Sequence, residues 1–107
     1  MPGMAADAPT PIPDTKTTTE EQTQLEPQWK VLLLNDDVTT VEFVIGLLVK
    51  LFRKPRPEAV RLTMEIHHTG SALVTVTSFE RAELYAEQVR SLARPRGFPL
   101  TATLEPA

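Results

Sequence analysis

KVLLLNDDVTTVEFVIGLLVKLF, residues 30–52, brings a strand pattern and a helix pattern together at one polar corner. Val31-Leu32-Leu33-Leu34 is a short β-branched and leucine run of the kind that forms a buried strand. Asn35-Asp36-Asp37 interrupts it, and a helix signal follows at once. Thr39 stands three residues before Glu42, the spacing at which a hydroxyl and a carboxylate satisfy each other's free backbone donors. Val38 and Phe43 occupy the flanking positions of a hydrophobic staple. The spacing predicts a first helix from about Thr40 to Phe52. Its polar residues Glu42, Gly46, Lys50 and Arg53 form one narrow stripe. Such a helix needs cover on more than one side, here a sheet and a second helix, with Gly46 allowing close approach. Polar groups held between two rigid elements have their directions fixed at little entropic cost, so the corner is a candidate site.

Outward from this stretch the chain alternates clear signals. Before it, residues 1–28 contain five of the ten prolines and carry five acids against Lys16, a net charge of −4. This composition buries too little apolar surface to offset ordering and predicts a disordered arm, with a folded domain over 29–107. After it, Arg53-Lys54-Pro55-Arg56 breaks the helix, since proline disfavours helical geometry in the residue before it. Pro57 suits the first helical position of a second helix, with Glu58 beside the positive dipole end. Ala59, Leu62, Thr63 and Ile66 repeat at helical spacing, and Gly70 is available as a left-handed cap after His67-His68-Thr69. Ala72, Val74 and Val76 then alternate with Leu73 and Thr75 as a half-buried strand. Thr77 and Glu80 repeat the capping-box spacing and open a third helix to about Arg94. Leu100, Ala102 and Leu104 alternate in a last strand. The expectation is an α+β domain of order β-α-α-β-α-β, a small three-stranded antiparallel sheet packed against three helices on one side.

Composition narrows the function classes. The net charge is −3, so the part after the arm carries +1 and offers no basic face for nucleic acid. Cysteine is absent, which excludes disulfides and thiolate metal sites. No apolar run is long enough to span a bilayer and no targeting signal opens the chain, so a cytoplasmic protein is expected. There is neither a glycine-rich phosphate loop nor a nucleophile elbow. In an extended backbone Asn35 and Asp37 point one way and Asp36 the other, offering an amide oxygen and a carboxylate on one side. The same acids equally suit a strand end entering a helix N-terminus. His67 and His68 equally suit a helix C-terminus. A metal centre built from Asp36, Asp37, His67 and His68 is not expected, because adjacent helical histidines point roughly 100° apart.

LLNDDVTTVEFVIGLL, H-H-T-G after the second helix, ALVTVTSFERAE and the terminal FPLTATLEPA together resemble the ClpS adaptor family over Trp29 to Ala107. The resemblance implies a non-enzymatic, monomeric adaptor without cofactor. Such an adaptor binds proteins with a bulky hydrophobic first residue (an N-degron) and passes them to a Clp AAA+ unfoldase, ClpA or ClpC, working with ClpP. By position, Asn35, Asp36, Asp37 and His67 match the residues that recognise the free α-amino group. Thr39, Val41, Val44, Thr63, Ile66 and Leu100 match the residues lining or bordering the side-chain pocket. Glu80 and Tyr85 match the contact to the unfoldase N-domain. The family often has methionine at the positions of Val41 and Thr63 and lysine at that of Tyr85. The competing readings are a module of the same fold that modulates an unfoldase without binding N-degrons, and a metal-dependent hydrolase using the aspartates and histidines.

Overall fold

Strand β1 (Gln28–Leu34) has both edges occupied, by β2 (Ser71–Ser78) and by β3 (Thr101–Pro106), each antiparallel to it. The sheet order is therefore β2-β1-β3, with the decisive apolar run at its centre. The computed structural model describes residues 26–107. Residues 1–25 of the expected arm lie outside the described residues, while Gln28, its last residue, already belongs to β1. Helices α1 (Val41–Lys50), α2 (Arg56–Thr69) and α3 (Phe79–Ala93) follow, with a 3-10 turn at Arg94–Arg96 before β3. The element order is the expected one, and the helices cover a single face of the sheet.

That one-sided cover corrects the reading of β1 as buried throughout. Val31 and Leu33 are fully buried against the helices, while Leu32 and Leu34 on the other face are half-buried. β2 departs from strict alternation for a related reason. The register slips between Val31 and Leu32, which pair with Thr75 and Leu73, so β2 carries one extra residue at Val74. A bulge of this kind reverses the facing of everything beyond it. Ala72 and Val74 stay buried, but Val76 turns out beside Lys30 onto the open face and is 44% exposed.

Both expected capping boxes shift by one residue. Thr40, not Thr39, caps α1 by accepting from the Phe43 N–H at 3.2 Å, because Thr39 is already bound to Asp36. Ser78, not Thr77, caps α3 by accepting from the Arg81 N–H, because Thr77 remains in the ladder opposite Trp29. The Val38–Phe43 staple does not form. Val38 is exposed, and Phe43 packs edge-on against Phe98 at 5.0 Å. α2 starts at Arg56, one residue before the expected Pro57, and ends at Gly70 in the left-handed conformation, φ 98°.

α1 packs on α2, and its buried Val44, Ile45, Leu47 and Leu48 share one core cluster with Val31 and Leu33 of β1. Gly46 permits no close approach, since a methyl group placed on it meets nothing within 4 Å. Beyond α1, Arg53 takes φ 60° so that the Lys54 N–H turns back to the Leu48 carbonyl at 3.0 Å. A left-handed non-glycine residue of this kind costs about 1–2 kcal/mol. Phe52 stacks on Tyr85 at 4.6 Å and joins this end of α1 to α3.

Candidate functional site

The polar corner after β1 is held from both ends. The Asn35 N–H donates to the Gly70 carbonyl at 2.9 Å, which ties the end of β1 to the cap of α2. Gly70 itself donates back to Ile66, so the last turn of α2, bearing His67, is fixed beside Asn35. Asp36 shapes the turn between. One carboxylate oxygen accepts from the Val38 N–H at 2.8 Å and the Thr39 N–H at 2.6 Å, and the other accepts from the Thr39 hydroxyl at 2.8 Å. Burial acts to raise the Asp36 pKa, but these bonds and the charge of Arg94 outweigh it and hold the carboxyl below the usual aspartate value.

The neighbouring groups are free of such commitments. Among the described residues the side chains of Asn35 and Asp37 make no hydrogen bond or ion pair, and His67 only meets the His68 ring edge-on at 5.4 Å. A cavity of about 210 Å³ lies among Asn35, Asp36, Asp37, Thr39, Val41, Val44, Thr63, Ile66 and His67. Its floor comes from α1 and α2, where Val44, Thr63 and Ile66 are buried. Thr63 is buried without an orphaned hydroxyl, because that group donates to the Ala59 carbonyl one turn back at 2.7 Å. Val41 stands at the mouth and is 43% exposed.

Nine of the expected amine-binding and pocket residues thus meet around one cavity. Leu100 does not: it is 1% exposed within the core cluster and helps support the fold. Glu80 and Tyr85 lie apart from the cavity on α3, Glu80 exposed in its first turn and Tyr85 half-buried against Phe52. Thr40 and Arg94 were not singled out from the sequence. Arg94 donates to the carbonyls of Phe98 and Leu100 at 3.0 and 2.8 Å and sets its charge near Asp36. Only the folded path of the chain brings an arginine 58 positions away to that corner, so no local signal announces it.

Among the described residues no group of three or more metal-ligating side chains is placed to hold an ion. No described helix is long and apolar enough to cross a membrane. Chemically, the rim offers a carboxylate, an amide oxygen and an imidazole above a small apolar floor. That set suits a cationic donor carrying an apolar side chain.

Comparison with known proteins points the same way. Residues 24–103 match the family described as ATP-dependent Clp protease adaptor protein ClpS. The chain is 40% identical to the ATP-dependent Clp protease adapter protein ClpS of Desulfatibacillum aliphaticivorans, over 96% of this chain and 99% of that protein. It is 44% identical to the ClpS of Campylobacter jejuni, over 84% of this chain and 96% of the relative. Among solved structures it is similar to Agrobacterium tumefaciens ClpS2 bound to L-phenylalaninamide. The TM-score is 0.73 and the identity 41%, over 76% of this chain and 98% of that one.

Proposed function

The chain belongs to the ClpS family of ATP-dependent Clp protease adaptor proteins, and from that membership we propose that it binds proteins by a bulky hydrophobic N-terminal residue and delivers them to a Clp AAA+ unfoldase for degradation by ClpP. The observation that carries this reading is the pairing of three uncommitted acceptors, on Asn35, Asp37 and His67, with one apolar cavity. The ligand of the similar solved structure, L-phenylalaninamide, presents both matching features, a free α-amino group and an aromatic side chain.

An α-ammonium has three N–H donors and a positive charge. Asp37 supplies a carboxylate, Asn35 an amide oxygen and His67 a ring nitrogen, while Asp36 holds the turn that presents them. The first side chain enters between Val41, Val44, Thr63 and Ile66, with Thr39 at the border. Charge-assisted hydrogen bonds contribute about 1.5–3 kcal/mol each. Burying the side chain adds about 1.5–3 kcal/mol. Against an association cost of about 4–15 kcal/mol the sum gives modest affinity, so attachment to a second partner strengthens capture. That partner is the N-domain of a ClpA- or ClpC-type unfoldase, met through Glu80 and Tyr85, with the arm that precedes β1 as a further contact. The protein acts without a cofactor and as a monomer, and its own residues carry out no covalent step.

Degradation of a folded reporter tests delivery. With the cognate unfoldase and ClpP, a reporter beginning with Phe is expected to disappear faster when this protein is added, and one beginning with Ser is not. If both reporters respond equally, the protein modulates the unfoldase without reading the N-terminus.

A further inference from the structure

The exposed charges on and beside α3 are sorted by sign. Leu84, 54% exposed, forms a ridge of the helix with a groove on either side. On one side Arg81, Tyr85 and Gln88 face Lys50 and Arg53 across a groove of about 310 Å³, which has three cations and no acid. On the other side Glu80, Glu83 and Glu87 line a groove of about 570 Å³ that reaches Leu104 of β3, with Arg90 as its one cation. Lys50, Arg53, Arg81 and the three glutamates are all exposed. Among the described residues none of these six side chains has a hydrogen bond, ion pair or ring contact. α2 is built the other way: Arg61 lies between Glu58 and Glu65 and pairs with both, at 3.1 and 3.4 Å. On α3 no acid stands three or four residues from Arg81, and Glu83 sits one turn from Glu87, an unfavourable like-charge spacing.

The split selects the occupant. A helix is about 10–12 Å across, close to one Debye length at 0.1 M salt, so a partner on this face feels both flanks. A uniformly charged partner, such as a nucleic acid or an anionic membrane, is drawn to one flank and repelled by the other. A second copy of the chain laid antiparallel on α3 sets acid against acid. The fit is to a protein surface carrying both signs in the complementary order, with an apolar recess between them for Leu84. Tyr85, half-buried beside the cations, and Glu80, at the head of the acids, are the residues matched to the unfoldase contact, so both grooves are continuous with it.

We propose, resting on the adaptor reading and widening the contact it gives to Glu80 and Tyr85, that this face docks on the unfoldase N-domain in one orientation. Leu84 enters an apolar recess whose rim is acidic toward Lys50, Arg53 and Arg81 and basic toward Glu80, Glu83 and Glu87. Turning the adaptor by half a revolution about the Leu84 ridge sets like charges together, so the reversed pose is rejected. Each exposed pair is weak and salt-sensitive, and the pattern supplies orientation and rate of encounter more than affinity.

Calorimetric titration of the full chain into the intact cognate unfoldase tests the pattern. Reversing two cations (K50E with R81E) or two acids (E83K with E87K) is expected to weaken binding about 10-fold in either case. Combining all four reversals leaves the net charge unchanged but inverts the pattern, and is expected to bind no better than either pair alone. Leu84→Ser should weaken binding while leaving its salt dependence as in the parent. Urea midpoints check folding, and the neutral forms K50Q with R81Q and E83Q with E87Q give the same order of effects where a reversed form is unstable. Recovery of parent affinity in the fourfold variant overturns the proposal, since net charge alone would then govern docking. So do affinities within about twofold of the parent after either reversal, no binding of the parent to the unfoldase, or a dimer of the parent that the reversals dissociate. Failure of the adaptor reading shows separately, as no binding of a Phe-initiated peptide by the parent protein alone.

Discussion

At Asp36 one carboxylate receives three hydrogen bonds from two residues, while the next carboxylate, Asp37, receives none among the described residues. The two acids therefore have separable effects. Asp37→Ala is expected to weaken binding of a Phe-initiated peptide about 10- to 150-fold, the loss of one charge-assisted bond, with stability within about 0.5 kcal/mol of the parent. Asp36→Ala is expected to cost about 1–2 kcal/mol of stability, as loss of a capping side chain does, measured by urea unfolding. Asp36 also fixes a pH dependence. Its folded pKa is depressed, so the folded state holds the proton less tightly than the unfolded chain does. The stabilisation is complete above about pH 4 and is lost as pH falls through the lower folded value. Asp36→Asn should flatten that acid limb, and an unchanged limb would assign it to other carboxylates. At the cavity mouth, Val41 is too short and too restricted in rotamer to press on a β-branched ligand as a methionine would. Val41→Met is expected to raise the Leu-to-Ile affinity ratio for the first residue, by up to roughly 1–3 kcal/mol of discrimination. An unchanged ratio in paired titrations would remove position 41 from the gate.

The elements were legible where pattern and propensity agree, and displaced where a side chain had two possible uses. All three helices were signalled by periodicity and by flanking proline or glycine, and Gly70 caps α2 as its position suggested. The caps of α1 and α3 each moved by one residue because Thr39 is taken by Asp36 and Thr77 by the sheet. Neither competition is visible in a spacing rule. The bulge at Val74 was hidden for a similar reason, because it is a property of the β1–β2 pairing and not of either strand. Gly46 was misread as a packing requirement and has open space at its Cβ position. It lies inside α1, where glycine costs conformational entropy that alanine does not. Gly46→Ala is therefore expected to raise stability by about 0.5–1 kcal/mol, seen as a higher urea midpoint. A lower midpoint would mean that α1 has no room for a methyl group at this position.

On the scale of the whole molecule, the central strand and α2 deliver the candidate site jointly. β1 ends at Leu34, α2 ends at Thr69, and the Asn35-to-Gly70 hydrogen bond holds their ends together. That arrangement brings His67 to Asn35 and Asp37 from 32 and 30 positions away. Resemblance to a family led to the same grouping. The residues alone left the acids open between a site and a helix start, and the histidines between a site and a helix end. Leu100 is buried in the same core cluster as Val44 and Ile66 but is not among the residues lining the cavity. The central claim is that the corner reads a free α-amino group together with a hydrophobic side chain. Fluorescence anisotropy of this protein with a labelled peptide beginning with Phe, beside the same peptide N-acetylated, tests it most directly. Acetylation removes the positive charge and two of the three donors, so saturable binding is expected for the free amine and none for the acetylated twin over the same concentrations. Equal binding of the two peptides, or none by either, would contradict the account.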